Sequence, residues 1–133
     1  MALHWHGYAW IGNGGIPDAQ RRPEPDIGFR GNDCPPLVTG HWLLKPERLI
    51  RGTWDDAGEA LAWLREQYTS SPETGGPSFE TRLWHATDGL PRGNDVTWAY
   101  WLNAGRDGRF AHFSVVSCPR RLEPHIRCPI ART

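Results

Sequence analysis

The chain has 133 residues with 15 basic and 15 acidic side chains, so it has the length of one compact domain and no formal net charge. That balance argues against a dedicated duplex-DNA binder, although charge is polarised: three basic against eight acidic residues run from Thr53 to Asp95, and six against two from Ala104 to Thr133. No apolar run is long enough to span a bilayer, no basic-then-apolar leader opens the chain, and three cysteines suggest no disulfide framework; a soluble, cytoplasmic protein with no membrane association is expected.

Residues 1–133 are expected to form a single domain. The opening "LHWHGYAW" alternates as a strand, sending His4, His6, Tyr8 and Trp10 to one face and Leu3, Trp5, Ala9 and Ile11 to the other. Residues 12–36 are rich in Gly, Pro and Asp without periodicity and read as a long irregular excursion, ordered either by itself or by a partner. "LVTGHWLL" has the composition of a strand, and Pro46 suits the first position of a turn or helix. One helix is clear in "TWDDAGEALAWLREQY": Thr53 is positioned to cap it with Asp56 at the capping-box spacing, and Trp54, Ala57, Leu61, Leu64 and Tyr68 form an apolar stripe. Trp63 lies off that stripe and is expected under a loop or against a partner.

Beyond "SSPETGGP" the pattern suggests a three-stranded meander near Phe79–Ala86, Val96–Ala104 and Arg109–Cys118. A four-residue loop at Gly105–Gly108 would pair Tyr100 with Phe113 and Trp98 with Val115, which places an apolar set on one face. The reverse face would then carry Glu80, Trp101 and His112 in one row, Arg82, Ala99 and Ser114 in a second, and Trp84 beyond. Strands lie about 4.8 Å apart, so Glu80 and His112 would flank a ligand stacked on Trp101. A structural alternative has this face covered by the long loop or by the proline-rich tail, which should run as a strap over the surface.

Alternate histidines on a strand point the same way and can chelate a metal, so His4 and His6 form a candidate metal pair with a third ligand from His112, His85 or Glu80. "CPRRLEPHIRC" offers Cys118, His125 and Cys128 as potential zinc ligands, with Cys34 as a fourth. All three cysteines precede proline; "IRCPI" resembles the Cys-Pro haem-regulatory motif, which would imply a thiolate axial ligand to haem iron, whereas turn prolines after loop cysteines explain the pairs more simply. Lys45 is the only lysine, and genome composition explains the arginine excess more cheaply than oxyanion recognition does. There is no nucleophile elbow and no dinucleotide fingerprint, and no cofactor is expected.

The expected fold is α+β, an antiparallel sheet of about four to six strands with one main amphipathic helix and long Pro/Gly-rich loops. The leading expectation for function is a binding or accessory protein that uses Trp101, Trp84, Arg82, Ser114, Tyr8 and Trp10 for a small planar ligand or a protein partner, a homodimer being compatible with such a surface. A cofactor-independent acid–base enzyme of the cyclase, isomerase or lyase type, with His112 and Glu80 as catalytic groups, is the first alternative. A metal-dependent protein using His4 and His6 is the second.

Overall fold

A computed structural model describes residues 2–23, 28–74 and 79–130. The fold is α+β: β1 (His4–Asn13), β2 (Gly52–Trp54), α1 (Ala57–Ser70), α2 (Phe79–Gly89), β3 (Val96–Trp101) and β4 (Arg109–Cys118), joined by irregular segments and short 3-10 turns. The four strands form one antiparallel sheet in the order β2-β1-β4-β3. Strands from opposite ends of the chain therefore meet at its centre, where β1 and β4 pair continuously from His4 opposite Cys118 to Asn13 opposite Arg109. No described helix is long and apolar enough to cross a membrane.

The alternation of β1 holds as the sequence indicates. Trp5, together with Trp98 and Tyr100 of β3 and Ala111, Phe113 and Val115 of β4, packs under α1 and α2 in the larger core, where Ala60, Leu64, Ala86 and Leu90 supply the helical side. Asp56 caps α1 by accepting the Glu59 amide. Thr53, expected at that cap, lies in β2 instead, opposite His6. Trp54 is likewise a β2 residue and meets Trp63 of α1: the two indoles lie with centroids 5.4 Å apart over Gly7. A Cβ built on Gly7 would fall 2.8 Å from Trp54 and 2.9 Å from Trp63, which is why the β1 backbone is bare there.

Three expectations are corrected. Phe79–Gly89 is a helix, because Phe79, Leu83, Ala86 and Leu90 repeat at helical spacing and Phe79, Ala86 and Leu90 pack into the core, a pattern that a two-residue alternation across the same short window imitates. "LVTGHWLL" forms a 3-10 segment at Thr39–Leu44, which inserts Trp42 and Leu43 beneath the sheet. The β3–β4 connection is longer than four residues: Trp101 pairs with Phe110 and Tyr100 with Ala111, two positions from the expected register. Asn103 and Ala104 adopt left-handed backbone there, with φ of 50° and 54°, and leave the strand. A slip of two preserves every face, so Trp98, Tyr100, Phe113 and Val115 still form the core side.

The opposite side of the sheet is covered as well. Tyr8, Val116 and Cys118 meet Trp42 and Leu43 from the Thr39–Leu44 segment and Ile126 from the C-terminal strap in a second core. Arg120 holds the base of that strap, pairing with Asp95 at 2.6 Å and with Glu123.

Candidate metal centre

The register of the two central strands assembles the candidate site. His4 and His6 lie two residues apart on β1, so both imidazoles project from the strap-facing side, and their rings meet edge-on with centroids 4.9 Å apart. Cys118 ends β4 directly opposite His4. The strap returns Cys128 to the same place, with the neighbouring Ile126 buried in the second core as its anchor. One ligand atom from each of His4, His6, Cys118 and Cys128 lies within 4.8 Å of all the others. His6 Nε2 is 3.1 Å and His4 Nε2 3.5 Å from Cys128 Sγ.

These are the separations of a tetrahedral shell or a small contraction away from one. Zn–N of about 2.0–2.1 Å and Zn–S of about 2.3 Å place ligand atoms roughly 3.3–3.8 Å apart. His4, His6 and Cys118 are buried and Cys128 is half-buried. Cys128 also borders a shallow groove with Leu43, His125, Arg127 and Pro129, which gives an ion a path from solvent.

Two further contacts fit the donor set. His6 Nδ1 lies 2.9 Å from Thr53 Oγ1. With a metal on Nε2, Nδ1 would carry the hydrogen and donate it to the threonine, the outer bond that fixes tautomer and ring orientation in metal-bound histidines. Tyr8, the next residue on the same face of β1, has a buried hydroxyl with no partner among the described residues. Burial pushes its pKa up, and the nearby Cys118 and Cys128 push it further. The Cys118 thiol is likewise pushed up, chiefly by burial and then by its hydrogen bond with Cys128. A metal ion at the cluster would offset that penalty by holding the sulfurs as thiolates.

The other residues singled out in the sequence are dispersed. His112 and Ser114 lie on the strap-facing side of β4 but are buried beneath Trp42, whose Nε1 donates to Ser114 Oγ at 3.2 Å and whose ring meets His112 edge-on at 6.0 Å. Tyr8 stacks on the same indole at 4.8 Å and 13°. Trp42 of the chain itself thus lies against Tyr8 and Ser114, two of the residues expected to take a planar ligand. Burial, with a smaller contribution from Arg21, lowers the His112 pKa to about 4. Glu80, Arg82 and Trp84 lie on α2, across the sheet from His112, so Glu80 and His112 do not share a face. Arg82 instead pairs with Glu73 at 2.9 Å, and Trp84 is exposed. Trp101 is exposed at the outer end of β3, edge-on to Phe110, and Trp10 is half-buried at the rim of the second core.

Of the two metal readings, each supplied half of the cluster: His4 and His6 from one, Cys118 and Cys128 from the other. His125 is exposed and Cys34 lies elsewhere, near Lys45 and Arg21. His85 is exposed on α2. Pairing the first strand with the last would have revealed the site, since alternation alone then brings His4 opposite Cys118. No family model, curated protein or solved structure matches the chain.

Proposed function

We propose that this is a zinc-binding protein in which His4, His6, Cys118 and Cys128 hold one structural ion, and that it serves as a binding module rather than a catalyst. The reading is carried by the convergence of two imidazoles and two thiols within 4.8 Å in a largely buried position. Sets of two sulfur and two nitrogen donors in tetrahedral arrangement select zinc among common divalent ions. Four protein ligands leave no open coordination position for water or substrate, the feature that separates structural from catalytic zinc. In mechanical terms the ion would staple the central strand pair to the C-terminal strap, whose twelve residues from Pro119 to Ile130 contain no helix or strand.

The test is metal content of untagged protein by inductively coupled plasma mass spectrometry, followed by cobalt substitution. One zinc per chain is expected, with sulfur-to-cobalt charge-transfer absorption that disappears in Cys118→Ser and Cys128→Ser and persists in Cys34→Ser and His125→Ala. Protein that neither carries zinc nor takes it up at micromolar concentration would refute the reading, as would loss of zinc in the Cys34 or His125 variant alone.

A further inference from the structure

Beside the strap, on the side of the second core away from the helices, lies a cavity of about 860 Å³, within the size range of small-molecule sites. Its lining combines guanidinium groups, two imidazoles and an apolar wall. Arg21, Arg22 and Arg30 contribute positive charge, and no acidic side chain lines it among the described residues. None of the three arginines forms an ion pair among the described residues. Arg21 is held in place by donating Nε–H to the Pro35 carbonyl at 2.8 Å, which leaves its terminal nitrogens as donors. Apart from the imidazoles of His41 and His125, the rest of the wall is apolar: Phe29 and Ile126 are buried at its back, whereas Leu37 and Val38 are 38 % and 48 % exposed at its mouth. An aliphatic pair left in water beside three guanidinium groups with no ion-pair partner among the described residues is a surface suited to an amphipathic anion.

We infer that this cavity binds a small amphipathic oxyanion, an apolar tail packed against Phe29, Leu37, Val38 and Ile126 and headed by a carboxylate or phosphate that the arginines clamp. Guanidinium groups present a planar fork of donors that matches both heads, and the aliphatic mouth shields the ion pair from solvent. Either element alone would be weak: exposed charge pairs are screened, and an apolar tail of this size has no orientation of its own. Together they give both affinity and register. The site does not depend on the zinc reading.

Isothermal titration calorimetry of the full chain with octanoate, octyl phosphate and octanol tests the inference. At least one of the anions should bind with 1:1 stoichiometry and at least tenfold more tightly than octanol, and the tighter of the two identifies the head group. Arg22→Gln/Arg30→Gln replaces two exposed side chains that make no hydrogen bond among the described residues, so it should fold normally and weaken the anion at least tenfold while leaving octanol unchanged. Val38→Glu, also at an exposed position, should weaken both anions by like-charge repulsion. Octanol binding as tightly as the anions, undiminished anion binding in the folded double variant, or no saturable binding of either anion would overturn the proposal.

Discussion

Acid should destabilise this protein through His112, and by an amount the structure sets. His112 sits on β4 beneath Trp42, 5 % exposed, with its Nδ1 3.5 Å from Ser114 Oγ and the charge of Arg21 within electrostatic reach. Burial first and Arg21 second hold its pKa at about 4 against 6.5 for an unperturbed histidine. Between those values the unfolded chain binds a proton that the folded chain refuses, so stability rises with pH across this window and is lost as pH falls from 6.5 towards 4. Integrating the linkage from pH 7 to pH 4 gives a loss of about 3 kcal/mol from this one group. The assay is urea unfolding of wild type and His112→Asn at pH 7 and pH 4, with EDTA present throughout so that metal loss does not contribute. Asparagine keeps a polar atom near the Nδ1 position and cannot titrate. The pH-dependent loss should be smaller in the variant by about 3 kcal/mol, whatever the variant's stability at pH 7. Equal losses in the two proteins, within about 1 kcal/mol, would show that His112 accepts a proton in the folded state and that its burial is not what the packing implies.

Two further outcomes follow from particular contacts. Thr53→Val removes the acceptor that orients His6 through Nδ1 while keeping the branched shape, so zinc affinity measured by competition with a chromophoric chelator should fall roughly tenfold; unchanged affinity would mean that the threonine does not set the ring. Gly7→Ala would drive a methyl group into Trp54 and Trp63 at under 3 Å and should destabilise the fold by about 1–3 kcal/mol in thermal or urea unfolding, with the tryptophan fluorescence altered. An alanine variant as stable as wild type would require both indoles to move without loss.

Local periodicity determined much of this protein before any tertiary structure was considered. Alternation in β1, β3 and β4 assigned each side chain to a face, and those assignments survive a two-residue register error because a strand's period is two. The aspartate at position 56 and the stripe through Leu61 and Leu64 marked α1. Periodicity was insufficient at Phe79–Gly89, where eleven residues satisfy a helical and an alternating pattern at once and packing against Trp98 and Tyr68 selects the helix. It was silent on what covers the second sheet face, because Trp42 reaches Tyr8 and Ser114 from an irregular segment with no period to read. The candidate metal centre lay furthest out of reach. His6 and Cys128 are separated by 122 positions, and only the closure of β1 onto β4, followed by the return of the strap, turns four scattered donors into one cluster. Each residue's chemistry was written locally; its neighbours were decided by the pairing of the two ends of the chain.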